Sequence, residues 1–79
     1  MAIRVYIIDD HALVRTGMRM ILSAEPDIDV VGEADSGEAA LPQVRRLKPD
    51  VVLCDLHLPG VSGLEVTERI VRGDHGTRV

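Results

Sequence analysis

Three aspartates stand directly after short apolar runs: Asp9 and Asp10 follow Ile3 to Ile8, and Asp55 follows Val51 to Cys54. Carboxylates brought within a few ångströms repel one another, and the usual relief is a raised pKa or a bound cation. Oxygen-only ligands suit a hard ion. Mg²⁺ keeps several waters and typically takes one or two carboxylates together with a phosphate. Such a site suits phosphoryl transfer, in which positioning and charge neutralisation supply most of the catalysis. A carboxylate can itself be the acceptor, giving an acyl phosphate. Asp55 is the better acceptor because it stands alone at the tip of a strand. Each aspartate also has a plainer reading as a turn acid, with Asp9 and Asp10 capping the first helix.

The other reactive side chains read as structural. Cys54 is a small core residue rather than a reactive thiol, and as the lone cysteine it excludes an internal disulfide and a cysteine-cluster zinc site. His11 and His75 show no ligand spacing and read as surface residues, while His57 reads as a loop side chain. Arg45, Arg46 and Lys48 form a solvated helix face. Tyr6 is the only aromatic residue and the net charge is −4. These exclude base stacking and a basic footprint, so the residues at hand are not a nucleic-acid binder.

The elements that must position these groups alternate along the chain. Ile3 to Ile8 is short, β-branched and nearly continuous, as a strand covered on both faces should be. Ala12 to Ser23 follows as a helix, with Leu13, Val14, Met18, Ile21 and Leu22 at helical spacing and Arg15 and Arg19 assigned to the opposite face. Pro26 and Asp27 close it, and Ile28 to Ala34 gives a second strand centred on Val30 and Val31. Asp35 or Ser36 caps a second helix, with Glu38 as the box partner of Asp35. Its buried stripe is Ala40, Leu41, Val44 and Leu47. Pro42 inside it predicts a bend or a late start, and Pro49 ends it by forcing Lys48 out of helical geometry.

Val51 to Cys54 forms the third strand. After a loop over Leu56 to Val61, Ser62 with Glu65 predicts a third helix continued by Val66, Ile70 and Val71. Gly73 to Gly76 reads as a turn, and Thr77, Arg78 and Val79 as the lead-in to a fourth strand. The chain of 79 residues thus reads as a parallel α/β sheet that stops where a fourth strand should begin. A domain near this size buries only about 60% of its unfolded surface. An edge left on Val51 to Asp55, with no proline or lysine to block it, predicts a chain that self-associates or is only marginally folded. The amino terminus has no basic segment leading into an apolar one, nor an apolar run near about 18 residues. That favours a cytoplasmic protein with no membrane contact.

Ligands of open α/β sheets sit beyond the carboxyl ends of strands at the topological switch point. In the flavodoxin-like order 2-1-3-4-5, an order borrowed by analogy, that point lies between the first and third strands. It would gather Asp9, Asp10 and Asp55 into one pocket.

Two motifs then carry a family resemblance. Val5-Tyr6-Ile7-Ile8-Asp9-Asp10-His11 resembles the acidic opening of response-regulator receivers. The stretch Val51 to Gly63 resembles their phosphoacceptor segment, with Pro59 four and Gly63 eight residues after Asp55. Val30 to Ala34 and Ser36 to Ala40 resemble the subfamily with a LuxR-type helix-turn-helix output. The resemblance runs from Arg4 to about Arg72.

It implies a flavodoxin-like (CheY-like) doubly wound sheet, truncated after the third βα unit, with residues 1–79 forming the amino-terminal portion of the receiver. It implies Asp55 as the phosphorylated residue, and Mg²⁺ on Asp10 and Asp55 directly, on Asp9 through water, and on the backbone carbonyl of His57. Pro59 and Gly63 would shape the loop. The family's Ser/Thr after the fourth strand and Lys after the fifth have no counterpart within these residues.

The implied function is a phosphoacceptor controlled by a sensor histidine kinase, regulating transcription through a DNA-binding domain beyond this chain. It is not an enzyme. The alternative is a receiver-like module that binds partners without phosphorylation. An Mg²⁺-dependent phosphatase would want a second acid two residues after its nucleophile, and His11 and His57 stand there instead.

Overall fold

The computed structural model describes residues 2–55 and Glu68. Over residues 2–55 the elements are β1 (Ile3–Ile8), α1 (Ala12–Ser23), β2 (Ile28–Ala34), α2 (Gly37–Leu47) and β3 (Val51–Cys54). Of the expected third helix only Glu68 is among the described residues, and it is helical; the turn at Gly73 to Gly76 and the lead-in at Thr77 to Val79 lie outside them. The sheet order is β2-β1-β3 and both pairings are parallel. The most deeply buried strand, β1, is therefore central, as a segment covered on both faces should be.

One face of the sheet carries the core. Tyr6, Ile8, Ala34 and Val52 pack with Ala40, Leu41 and Val44 of α2. Ser36 is the residue that caps α2, its hydroxyl accepting from the Ala39 amide at 3.2 Å. Glu38 then falls two residues after the cap, one short of the box position. Pro42 does not delay the helix, which begins at Gly37, because the turn before it is already set by the Ser36 cap. Lys48 leaves helical geometry as expected, into the left-handed region at φ 49°.

Arg4 locks the amino end of the sheet. Its amide donates to Asp50 Oδ2 at 2.9 Å, and its guanidinium donates to the carbonyl of Leu47 at 2.7 Å. A cation on the last carbonyls of a helix is the favourable end for the helix dipole. The Asp50 amide returns a bond to the Arg4 carbonyl at 2.8 Å, which sets the start of β3.

A register shift lies between Val5 and Tyr6, so that Tyr6 stands opposite Gly32 and Val31 is the extra residue of β2. A Cβ on Gly32 would stand 2.8 Å from Tyr6 Cε2. Only glycine leaves room for this ring.

The rotation of α1 differs from expectation. Arg15, Met18 and Leu22 are half-buried, whereas Leu13, Met20 and Ile21 are 86%, 70% and 71% exposed. Arg15 thus lies on the inward face, not opposite it. Apolar residues occupy much of the circumference of α1, so periodicity permits more than one orientation. The one adopted gives the Arg15 guanidinium polar partners at the strand ends.

Candidate functional site

The ladder continues past the strands into the acidic residues. The Asp9 amide donates to the Ala34 carbonyl at 3.1 Å, and the Asp55 amide donates to the Ile8 carbonyl at 3.0 Å. Since Ile8 pairs with Cys54, the next residues in register are Asp9 and Asp55. The two aspartates are therefore held by backbone at adjacent strand tips, where mutual repulsion cannot separate them. Asp10 follows in the turn and is more exposed.

Asp9, Asp10, His11 and Asp55 each offer one ligand atom, and all four atoms lie within 4.8 Å of one another. The three expected carboxylates are brought together. The carbonyl of His57, with Pro59 and Gly63, lies outside the described residues. Beside the acids is a cleft of about 390 Å³ lined by Ile8, Asp9, Met18, Leu53, Cys54 and Asp55. Its apolar wall lowers the local dielectric and strengthens charge interactions at the tip of β3.

The turn acids do not cap α1. Its cap position is His11, which makes no side-chain cap bond, and its first turn holds no acid. Asp9 instead accepts from the His11 amide at 2.8 Å, the bond of an Asx turn. This folds the loop back and sets the His11 imidazole, Nδ1 lying 3.0 Å from a carboxylate oxygen of both Asp9 and Asp10. His11 is a surface residue, its side chain 65% exposed, yet it belongs to the acidic cluster. Its pKa lies above the ordinary value, first through the hydrogen bond to Asp9 and then through the charge of Asp10. Cys54 is half-buried against the core, and burial, with the charges of Asp55 and Asp9, pushes its thiol up. A thiol so raised is a poor nucleophile.

Arg15 and Glu33 are also close to the site. The Arg15 guanidinium donates to the Asp9 carbonyl at 2.6 Å, and its Nε stands 3.8 Å from Glu33 Oε1. One signal for this pair was present in the sequence: Glu33 follows the apolar centre of β2, and a charge half-buried there calls for a partner.

The chain is similar to known proteins over nearly its whole length. The family model described as "Response regulator receiver domain" matches residues 5–79. The response regulator GacA of Pseudomonas viridiflava is 49% identical over 77 residues, 98% of this chain and 36% of that protein. The nitrate/nitrite response regulator protein NarL of Escherichia coli (strain K12) is 44% identical over 66 residues, 84% of this chain and 31% of that protein. Among solved structures, the response regulator domain of Thermotoga maritima CheB superposes with a TM-score of 0.93 at 37% identity, covering 100% of this chain and 58% of that one. A LuxR-family response regulator from Aurantimonas sp. SI85-9A1 gives 0.91 at 37% identity, over 99% and 56% of the two chains. The chain spans about a third of the length of the curated relatives it matches.

Proposed function

Given that this chain belongs to the response regulator receiver family, we propose that residues 1–79 are the amino-terminal portion of a receiver that accepts a phosphoryl group on Asp55 from a sensor histidine kinase. A receiver is a phosphoacceptor and not an enzyme, and its fold is the CheY-like α/β fold. The observation that carries the reading is the placement of Asp55 at the tip of β3 with Asp9 and Asp10 beside it.

In the proposed reaction a carboxylate oxygen of Asp55 attacks phosphorus, the bond from phosphorus to the donor breaks, and an acyl phosphate remains. The backbone bond from Asp55 to Ile8 fixes the attacking group, which lowers the entropy cost of an in-line approach. The donor set is oxygen-rich and anionic, which fits a hard divalent cation. Asp10 and Asp55, with Asp9 and the His57 carbonyl, would hold Mg²⁺, which supplies charge neutralisation for the incoming phosphate.

The output would be a LuxR-type DNA-binding domain that regulates transcription. Support comes from relatives described as a LuxR-family regulator and as a transcriptional regulatory protein. The compartment we assign is the cytoplasm, resting on the family and the sequence. Among the described residues no helix is long and apolar enough to cross a membrane.

Labelling tests the central claim. The full-length protein to which these residues belong, incubated with a small acyl phosphate donor and Mg²⁺ and then trapped with borohydride, should carry its modification at residue 55 by mass spectrometry. Undiminished labelling of Asp55→Asn would refute the acceptor role.

Self-association is a second expectation. β3 stands outermost in the described sheet, and Val51, Val52 and Leu53 add neither charge nor proline to block another strand. Light scattering over a concentration series should show mass rising above that of one chain of 8.6 kDa. A monomer that folds cooperatively at every concentration would discard this expectation.

A further inference from the structure

Asp9 is held from three sides. Its amide donates to Ala34 of β2, its carboxylate accepts from the His11 amide, and its carbonyl accepts from Arg15 of α1 at 2.6 Å. That carbonyl belongs to the peptide plane joining Asp9 to Asp10. A plane gripped at its oxygen cannot rotate, and its rotation is what would swing the Asp10 carboxylate away from Asp9 and Asp55.

The grip is itself oriented. Arg15 is only 17% exposed, and its Nε is buried without a hydrogen-bond partner among the described residues. Glu33 Oε1, 3.8 Å away, is its charge partner. The same carboxylate meets Arg19 Nη1 at 3.2 Å, from a side chain that is 51% exposed. Glu33 stands opposite Ile7 of β1. The pair therefore ties α1 to the sheet directly behind the acidic turn. A surface ion pair would be worth little, but a guanidinium that must also satisfy a main-chain carbonyl has a defined geometric task.

We infer that Arg15, oriented by Glu33, is a positioning residue that fixes the Asp9–Asp10 peptide and so sets the spacing of the carboxylates around a divalent ion. The inference rests on the proposed Mg²⁺ site for its effect on affinity, and on the geometry above for its effect on the peptide.

Two readouts on the whole chain test it: Mg²⁺ affinity by NMR titration, and the ¹⁵N order parameter of the Asp10 amide, which reports the peptide in question. Groups that orient metal ligands commonly change affinity about 10- to 100-fold when removed. Arg15→Gln should weaken Mg²⁺ about tenfold, at the lower end of that range. The Asp10 order parameter should fall from the rigid range of about 0.85 toward the flexible range below about 0.6. Arg15→Lys, which keeps a cationic donor, should restore part of both. Glu33→Gln should show a smaller loss, and the double variant Arg15→Gln/Glu33→Gln no more than Arg15→Gln alone, because the two act through one grip.

Arg45→Gln, an exposed change on α2 away from this network, should leave both readouts unchanged. Wild-type affinity and a rigid Asp10 amide in Arg15→Gln would overturn the inference, even if the unfolding midpoint fell. If Arg15→Gln does not fold, Arg15→Lys and Glu33→Gln decide it on the same readouts. If the wild type binds no Mg²⁺, the metal reading fails by itself, and the Asp10 order parameter alone decides the role of Arg15.

Discussion

Asp10→Ala and Asp55→Asn are each expected to weaken Mg²⁺ binding at least about tenfold, the scale on which even groups that merely orient metal ligands act. The two side chains come from different elements, and the backbone of Asp55 is tied to β1 independently of Asp10. Loss of either should therefore leave the other in place and remove ligand oxygen without collapsing the site. His11 gives a second view of the same event. The carboxylates that would attract Mg²⁺ already raise its pKa. Protonation of His11 and metal binding thus compete for one field, and by reciprocity each must weaken the other.

Mg²⁺ should accordingly pull the His11 pKa down, and affinity should climb as pH rises through the raised value. The sign for folding is separate. A histidine whose pKa is raised in the fold stabilises it fully below its unfolded value near 6.5, and that contribution is lost as pH rises through the folded value. NMR titration of the His11 ring and of the backbone amides, with and without Mg²⁺, measures both. Equal affinity in wild type, Asp10→Ala and Asp55→Asn would sink the metal assignment.

Tyr6→Ala is expected to unfold the chain at 25 °C. Tyr6 is 0% exposed, sits on the central strand, and donates its hydroxyl to Gln43 Oε1 at 2.6 Å. Truncating a large buried aromatic costs about 3–5 kcal/mol, and a domain of this size rarely has more than roughly 3–5 kcal/mol in total. The hollow left would be lined by Gly32 on one side, which has no side chain to fill it. Tyr6→Phe separates packing from hydrogen bonding. It keeps the ring and should cost only about 1 kcal/mol. Urea titration followed by circular dichroism would give both values. A cooperative transition in Tyr6→Ala near the wild-type midpoint would show that the core does not depend on this ring.

The strands were legible because each is short, β-branched and bounded by polar residues. Ile3–Ile8, Ile28–Ala34 and Val51–Cys54 stand where those runs stand. The acidic pocket was legible because the strand order borrowed by analogy brings Asp9 and Asp55 together, and its first three strands are found in that order, β2-β1-β3. What could not be read was the rotation of α1. Leu13, Val14, Met18, Met20, Ile21 and Leu22 encircle much of that helix, and an inward arginine looks like a solvated one until its partners are known. His11 was missed for a related reason. Its contact with both carboxylates depends on a turn closed by the Asp9 side chain, which no ligand spacing encodes. Of the two caps expected for α2, Asp35 and Ser36, it is Ser36 that serves, a choice local sequence leaves nearly even.

The clamp at the amino end of the sheet bears on the order in which the molecule is made. Arg4 and Asp50, its partner at the start of β3, are 46 residues apart, and β1 is made before both of the strands that flank it. At about 5–20 residues per second, roughly 2–9 s of synthesis separate the two halves of that clamp. During that interval the central strand can acquire β2 on one edge while the other edge waits. The carboxyl ends of β1 and β3 carry the charge-bearing residues, but it is the far end of the sheet, held by an arginine with no part in the chemistry, that closes the time window in which the nascent chain is most open to the wrong neighbour.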